Sequence, residues 1–392
     1  MEQSPFTIMC FTWNAAGLRL CETMSQDKAD LDREGFKAFI TRKQECVAPD
    51  FFEDIRSMIN IRKPSIVVMT TQDEDVKYTY FHSELLPSSM PEIGYALLKR
   101  DKLKNVGEAA SGVVPQKLAT GKPSGSALRM SIYANYNIIR ELRSEERYIN
   151  KLFSKKSHAT CDQGDRKSGA IVSYVWHEKY GKFAFIAVDL PSGITSLKVG
   201  KDLDYNSYRA ASKSSNNLCL LKIYNQFVSS LSSESRPDHI FLLGDMNYDI
   251  VVPGKKNIEL TLELSANITA AKLKDLQRYD ELRRSMEDVP LRGFKEGVSS
   301  EGPLFMPTWR LARGRPDSCS PRRDATKIDN ICFGQPNDAL GGVGWHDRIL
   351  YKEMMTSNYM SHCIDYNRLD VRNMHESTHA GVTAFFEMRS VQ

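Results

Sequence analysis

The sequence lacks a long apolar run, a closely spaced cysteine pair and a strong excess of charge of either sign. No apolar run approaches the roughly 20 residues that span a bilayer, which argues against a transmembrane protein. The eight cysteines lie far apart, without C-x-x-C or Cys/His zinc spacing, so reduced thiols are expected. Lys plus Arg total 53 against 49 Asp plus Glu, and this small excess does not require a nucleic acid partner.

The N-terminus also lacks the basic segment of a secretory signal, since an acid stands at position 2. A cytoplasmic protein that is not secreted is therefore predicted. The net charge of +4 is compatible with a phosphorylated partner or with peripheral contact to a membrane surface. A hydrophobic fraction of 41% and a charged fraction of 26% are typical of a globular protein with a sizeable core.

Short apolar runs closed by turn residues alternate with helical segments from end to end. Strands are predicted in FTIMCFTWN, PSIVVMTTQDED, the hairpin SGAIVSYVWHEKYGKFAFIAVDL, DHIFLLGDMN and GVTAFFEM. Apolar residues spaced by three and four predict helices over 48–60, 216–231 and 264–286, the last broken near Asn267. One α/β domain over residues 1–392 is predicted, with surface insertions near 20–46, 100–125 and 311–325.

Polar side chains follow several of these strands, at the point where each strand ends. Asp245 and Asn247 are two apart, so they point to the same face of an extended segment. Asn14 ends the first strand, and Asp73 with Glu74 ends another. Carboxylate and amide oxygens are the ligands that Mg²⁺ prefers. Taken singly, each of these residues is also explained as a turn former that caps backbone amides.

The order of these motifs resembles the endonuclease/exonuclease/phosphatase superfamily, and more closely its inositol polyphosphate 5-phosphatases. That family carries G-D-x-N-Y followed much later by P-x-W-C-D-R-[IV]-L-Y; here GDMNY spans 244–248 and GWHDRILY spans 344–351. Its G-F-x-E-G, F-x-P-T-Y-K and N-K-G-A-V-A segments are similar to GFKEG at 293–297, PLFMPTWRL at 303–311 and KSGAIVSY at 167–174. The resemblance covers most of the chain, with the insertions excepted.

The resemblance implies a DNase I-like four-layer sandwich, in which two packed β-sheets are flanked by helices and the site lies at one rim. It also implies Mg²⁺-dependent attack of water on the 5-phosphate of an inositol polyphosphate or a phosphoinositide headgroup, without a phosphoenzyme. A cation polarises the phosphoryl oxygens in such a reaction, and fixed donors take up the charge that develops.

Carried over by position, the resemblance implies a role for each matching residue. The metal ligands would be Asn14 and Asp73, or Glu74 if the backbone is shifted. The catalytic residues would be Asp245, which orients or deprotonates water, Asn247, which binds the phosphate, Asp347, and the neighbouring His379, which stabilises the phosphoryl group.

Three departures from the family pattern concern residues expected at the site. The family's Q-E is Gln72-Asp73, with a shorter acid. The histidine of its S-H-L-A-A-G segment is Asp189, which stands at the phosphate-binding position and repels phosphate unless a cation lies between them. The aspartate of its S-D-H is Thr378, which removes a negative partner for neighbouring groups.

A fourth departure concerns the neighbouring 4-phosphate. The basic residues that precede P-x-W in the family are absent from 340–344. Arg322 and Arg323, in the Arg-, Pro- and Ser-rich segment 311–325, are candidates for this phosphate-binding role. The alternative explanation of that segment is a solvated loop.

Each lost electrostatic group typically lowers a rate on the order of 10²-fold, so the phosphatase would be weak or specialised. Two further functions stay open. One is a catalytically inactive member that acts as a structural or binding subunit of a larger assembly of proteins. The other is a nuclease of the same superfamily, which the 5-phosphatase motifs and the small net charge disfavour, and no specific nucleic acid is predicted as a partner.

Overall fold

Residues that are apolar on both faces form the strands at the centre of the molecule. In β1 (Thr7–Asn14), Ile8 and Cys10 lie in one buried cluster, whereas Met9 and Phe11 lie in another on the opposite side of the strand. Side chains of a strand alternate between its two faces, so a strand that is buried on both sides has no polar face. The apolar run at the start of the chain is explained by this double burial.

The computed structural model describes most of the chain. The described residues are 5–15, 19–20, 46–47, 51–75, 81–104, 126–143, 158–163, 166–190, 205–229, 231, 233, 236–255, 257–266, 269–312, 333, 343–354, 357–369, 374 and 377–391. For Asp73 and Glu74 only the backbone is described.

Strands and helices alternate along the described chain. The strands are β1 (Thr7–Asn14), β2 (Arg19–Leu20), β3 (Cys46–Val47), β4 (Ile66–Asp75), β5 (Tyr95–Lys104), β6 (Ser126–Asn135), β7 (His158–Gln163), β8 (Arg166–His177), β9 (Gly181–Asp189), β10 (His239–Asp245), β11 (Lys295–Glu296), β12 (Asp347–Glu353), β13 (Tyr359–Leu369) and β14 (Gly381–Ser390). The α-helices are α1 (Phe51–Arg62), α2 (Leu86–Glu92), α3 (Tyr136–Arg143), α4 (Tyr205–Tyr224), α5 (Asn257–Ala266), α6 (Ala270–Leu276) and α7 (Glu281–Ser285).

Two large sheets pack face to face. Among the described residues, one sheet has the strand order β13-β14-β1-β4-β6-β5 and the other has the order β11-β12-β10-β9-β8-β7. The central strands β1 and β10 each have a parallel neighbour, β4 and β9 respectively, and an antiparallel neighbour, β14 and β12 respectively. Inward-facing side chains of both sheets, such as Ile8, Phe185 and Phe241, form the core between them.

Helices cover the outer faces of both sheets. Phe52 and Ile55 of α1 pack with Phe11 of β1, and Leu220 of α4 packs with Ile240 of β10. Burial of each such side chain contributes about 1.5–3 kcal/mol, which fixes the helices on the sheets. The expected DNase I-like α/β sandwich of two sheets flanked by helices is confirmed. That residues 1–392 form one domain stays a prediction.

Several boundaries differ from those that the sequence indicates. Helix α4 begins at Tyr205, well before the predicted start at 216. Its first turns carry small and polar residues without an apolar stripe, so apolar spacing did not reveal them. The segment 264–286 holds the end of α5 and the helices α6 and α7. The predicted insertion at 100–125 begins too early, since β5 continues to Lys104.

The structure also bears on the predictions about the cysteines and about membrane spans. Cys219 on α4 is disulfide-bonded, so the expectation that all thiols are reduced is wrong. Cys10 and Cys363 are free and buried. Within the described ranges, no helix is both long and apolar enough to span a bilayer.

Candidate active site

Strands of both sheets end in polar residues on the face that lines the core. Along β10, Phe241 and Leu243 point into the core, and Asp245 is the next residue on that face. By the same alternation, Asn14 ends the inward row of β1 and Asp347 begins that of β12. The alternation of strands therefore sets these polar groups at one end of the core between the sheets.

Asn14 joins the two sheets through hydrogen bonds to both aspartates. The Nδ2 atom of Asn14 donates to Asp245 Oδ2 at 2.6 Å, across the gap between β1 and β10. The backbone N–H of Asn14 donates to Asp347 Oδ1 at 3.1 Å. All three residues are buried, with exposed fractions of 2%, 1% and 0%. Buried polar groups require such partners, which explains why the sheets meet at these atoms.

His379 lies in the turn before β14 and faces both carboxylates. Its Nδ1 atom is 2.8 Å from Asp347 Oδ2, and its Nε2 atom is 4.0 Å from Asp245 Oδ2. An ionised carboxylate only accepts hydrogen bonds, so Nδ1 carries the proton in this pair and Nε2 is the ring atom turned towards Asp245. Ser377 Oγ accepts from the His379 N–H at 3.0 Å and donates to Asn14 O at 2.8 Å, which fixes the turn.

The loss of an acid at position 378 therefore leaves His379 with an orienting carboxylate, supplied by Asp347. The carbonyl oxygen of Thr378 accepts the Leu311 N–H at 2.9 Å, which ties this turn to the segment before the predicted 311–325 insertion. The carboxylate beside His379 is thus the one that the resemblance places at position 347.

Asn247 adopts the left-handed conformation, with φ at +52°, that asparagine tolerates better than most residues. Its N–H donates to Asp245 Oδ1 at 3.1 Å, and its Nδ2 donates to Leu190 O at 2.8 Å. Asn216 of α4 holds the backbone of this turn by donating to the carbonyl oxygen of Asn247 at 3.0 Å. One of the two amide hydrogens of Asn247 is thus used within the protein, and the side chain has a second.

Asp189, Asp245 and Asp347 lie directly opposite one another on the neighbouring strands β9, β10 and β12. Asp189 is 3% exposed, so all three carboxyl groups are buried. Like charges in opposite positions of a sheet are destabilising. This row gathers three buried carboxyl groups at one end of the sheet.

Burial raises the pKa of Asp245 above its ordinary value of 3.8, and the charge of Asp347 raises it further. The nearby His379 and the hydrogen bond from Asn14 act in the opposite direction. The upward shift prevails. Asp245 is therefore a stronger base than an exposed aspartate.

The metal-binding prediction concerns Asn14, Asp73 and Glu74. The backbone of Asn14 pairs with Gln72 in the register of β1 and β4, directly before the two acids. The pairing of β4 with β6 shifts register between Thr71 and Glu74, an irregularity of the kind that re-aims side chains beside active sites. The side chains of Asp73 and Glu74 lie outside the described residues.

The donors at this position fit a hard cation such as Mg²⁺. No group of three His, Cys, Asp or Glu residues that could hold a metal occurs among the side chains that the structure describes. Magnesium does not need one, since it usually takes one or two carboxylates and completes its shell with water and substrate phosphate. An amide oxygen of Asn14 and a carboxylate from position 73 or 74 would satisfy that requirement.

Arg322 and Arg323, predicted to bind phosphate, lie outside the described residues. Arg348 does not contact the site: its guanidinium binds Glu296 and Asp280 on the outer face of the sheet. The sequence motif G-W-H-D-R-I-L-Y thus contributes Asp347 to the site and Arg348 to a separate buried network.

Sequence reasoning missed a group of residues above His379. Thr308 Oγ1 accepts the backbone N–H groups of His346 and Asp347, both at 3.0 Å. The ring of Trp309 lies 4.6 Å from that of His379 and 5.3 Å from that of His346. The sequence did carry a signal for this group, since Trp309 stands where the family pattern P-T-Y-K has tyrosine and His346 stands where W-C-D-R has cysteine.

Residues 129–385 match the family model described as Endonuclease/Exonuclease/phosphatase family 2. The chain belongs to this family. The description of this family covers nucleases and phosphatases. A search of curated proteins found no match to this endonuclease/exonuclease/phosphatase chain.

Solved structures similar to this endonuclease/exonuclease/phosphatase member include Cimex nitrophorin as its ferrous NO complex. The identity is 14%, each chain is covered to 100%, and the TM-score is 0.54, which supports the shared fold alone. The inositol polyphosphate 5-phosphatase domain of spSynaptojanin, in complex with inositol (1,4)-bisphosphate and a calcium ion, is 15% identical. The match covers 99% of this chain and 86% of the spSynaptojanin chain, with a TM-score of 0.49.

Proposed function

We propose that this protein is a Mg²⁺-dependent phosphatase that hydrolyses the 5-phosphate of an inositol polyphosphate or a phosphoinositide headgroup, at a weak or specialised rate. The observation that carries the proposal is the contact between the sheets, where Asn14 and His379 meet Asp245 and Asp347. These four residues stand at the motif positions that resemble those of the 5-phosphatases. A headgroup substrate would bring the protein to the cytoplasmic surface of a membrane.

The cation would be held by Asn14 together with Asp73 or Glu74. When bound, it withdraws electron density from the phosphoryl oxygens and so makes phosphorus more open to attack. Its positive charge would also offset the row of carboxylates that includes Asp189.

Asp245 is suited to accept a proton from the attacking water. Its raised pKa brings its basicity closer to that of a useful general base at neutral pH. The Asn14 amide and the Asn247 N–H each donate to one of its oxygens, which fixes the plane of the carboxylate. Orientation of this kind removes the entropy that a free base would lose in the transition state.

His379 is suited to donate from Nε2 to a phosphoryl oxygen. The doubly protonated ring is the form that would donate from Nε2 while Asp347 accepts from Nδ1. Asn247 would add a donor through its second amide hydrogen. Such fixed donors stabilise the charge that develops in the transition state, and each typically contributes about 10²–10³-fold in rate.

The test is release of phosphate from a panel of inositol phosphates and phosphoinositides by purified protein, with and without Mg²⁺. Release that requires Mg²⁺ and is abolished by Asp245→Asn is expected. The matched control is Asp238→Asn, because Asp238 precedes the opposite end of the same strand, β10, and should leave release unchanged. A folded wild-type protein that turns over no member of the panel would exclude the proposal.

A catalytically inactive member that binds partners is the second candidate. The row of three buried carboxylates, with Asp189 where the 5-phosphatases carry a histidine, favours it. This candidate predicts that Asp245→Asn leaves the protein's place in a larger assembly unchanged. Loss of co-purifying proteins in that variant, with its fold intact, would count against it.

A further inference from the structure

His346 and Asp249 form a second histidine–carboxylate pair beside the candidate active site. The Nε2 atom of His346 lies 2.9 Å from Asp249 Oδ1. Gly344 packs against the same edge of the imidazole, since a Cβ added there would come within 2.9 Å of Nε2. The backbone N–H of His346 donates to Thr308 Oγ1 at 3.0 Å. These contacts fix the ring by its Nε2 edge.

The other ring nitrogen is uncommitted. Nδ1 of His346 is buried, and within the described part of the chain it makes no hydrogen bond. His346 as a whole is 4% exposed, so this nitrogen is not simply solvated. A buried polar atom without a partner is unfavourable, and native structures keep such atoms mainly where they have a function. The nitrogen is therefore available to a ligand.

The position of His346 allows it to share a ligand with the catalytic residues. Its ring centroid lies 6.1 Å from that of His379, and both rings contact Trp309. The charge of His346 also lowers the pKa of Asp245, which places the two groups within electrostatic reach. A phosphate group, with oxygens on several sides, can meet donors from both imidazoles.

The sequence departs from the 5-phosphatase pattern in a complementary way. The pattern S-H-L-A-A-G has a histidine where this chain has Asp189, and the pattern W-C-D-R has a cysteine where this chain has His346. One imidazole is thus lost on β9, and another is gained at the start of β12. Asp249 places a carboxylate oxygen 2.9 Å from Nε2 of the new ring.

We propose that His346 provides the phosphate-binding imidazole that position 189 lacks, with Nδ1 as the atom that donates to a phosphate oxygen and Asp249 as its positioning partner. The ligand class is a phosphate monoester or inorganic phosphate. In the doubly protonated ring, Nε2 donates to Asp249 while Nδ1 donates to the ligand, and both bonds are charge-assisted. This inference rests on the proposed function for the location of the phosphate.

The test measures binding of inorganic phosphate, which does not depend on turnover. His346→Gln is the informative variant, because its amide nitrogen can replace Nε2 towards Asp249 and nothing replaces Nδ1. Titration of phosphate into protein with isotope-labelled histidines should shift the His346 signals of the wild type. The Kd of His346→Gln should be about tenfold higher, which corresponds to about 1.4 kcal/mol.

The matched control is His362→Gln on the edge strand β13, which should bind phosphate as the wild type does. A second variant tests the exchange of imidazoles: Asp189→His added to His346→Gln should restore most of the lost affinity. Three results would each overturn the inference: an unchanged phosphate affinity in His346→Gln, no shift of the His346 signals in the wild type, or no recovery of affinity in the double variant. Phosphate binding through His346 without turnover of any inositol phosphate would retain it and reject the proposed function.

Discussion

Asp347 and Arg348 are neighbours on β12, yet they belong to two buried charge clusters of opposite character. On the outer face, Arg348 donates from Nε to Glu296 Oε1 at 2.6 Å and from Nη2 to Asp280 Oδ2 at 2.8 Å. Tyr366 donates to the same Glu296 oxygen at 2.7 Å. In this cluster a guanidinium lies between two carboxylates, and every group has a partner.

On the inner face, Asp347 lies in register with Asp245 and Asp189, and no described Lys or Arg forms an ion pair with Asp347 or Asp245. Amides and imidazoles are the donors present there. The outer cluster pairs its two carboxylates with a guanidinium of the chain, whereas the carboxylates of Asp347 and Asp245 accept from amides and lie beside the His379 ring. Removing one member of a fully paired buried cluster leaves its partners uncompensated, whereas buried carboxylates with perturbed pKa values and no paired cation are candidates for function.

The largest effect is expected from breaking the outer cluster. Arg348→Met would leave Asp280 and Glu296 buried without their cation, which costs about 3–5 kcal/mol of stability. Chemical denaturation measures the loss. Arg389→Met, on the exposed end of β14, is the matched control and should change stability by about 0.5 kcal/mol or less. Equal stabilities of the two variants would refute the assignment of Arg348 to a stabilising network.

The inner cluster should respond in activity more than in stability. Asp347→Asn removes the charge that orients and supports the His379 ring, and phosphate release should fall about 10²-fold or more. Rates of release at saturating substrate measure this effect. The matched control is Asp365→Asn, the same substitution on the edge strand β13, which should release phosphate at the wild-type rate. An Asp347→Asn variant with an unchanged rate would separate His379 from catalysis.

The pH dependence of stability distinguishes the clusters more finely. Since the pKa of Asp245 is raised in the folded state, the folded chain holds more protons than the unfolded chain at pH values above 3.8, and stability falls as pH rises through that range. Asp245→Asn should remove this decline and increase stability at neutral pH relative to the wild type. Denaturation midpoints from acidic to neutral pH provide the measurement. A steeper decline in the variant would contradict the direction of the shift.

The smallest effect is expected from restoring the family acid next to His379. Thr378→Asp adds a carboxylate that is partly exposed, beside a ring that Asp347 already orients. Partly exposed charges contribute under about 1 kcal/mol, so phosphate release should change by about fivefold or less. A gain of 10²-fold or more would mean that Asp347 does not replace the missing partner.

The sequence was sufficient for much of the fold because the central strands are continuous apolar runs closed by turns. β10 ends at Asp245, and the hairpin of β8 and β9 turns between His177 and Gly181, near the predicted residues. The start of α4 could not be found in this way, since its first turns carry no apolar stripe. Burial patterns reveal an element only where it has one apolar face.

For the site, strand ends pointed to Asn14 and Asp245, and the family resemblance added Asp347 and His379; these four side chains lie together in the folded chain. The pairing of His346 with Asp249 could not be read from the sequence, because it joins two loops of different strands. Likewise, the buried bonds of Gln72 with Thr12 depend on the register of β1 and β4, which periodicity does not specify. Contacts between distant segments are the part that only the folded chain reveals.

The pairing of β1 with β14 also bears on how the protein is made. Trp13 Nε1 donates to the carbonyl oxygen of His379, 366 positions later in the chain. Contacts of such high sequence separation form slowly, because the closure entropy of a long loop must be overcome before they contribute. During synthesis, β1 cannot form this pairing until the residues of β14 have left the ribosome, so the contact between Asn14 and the turn that holds His379 is among the last to form.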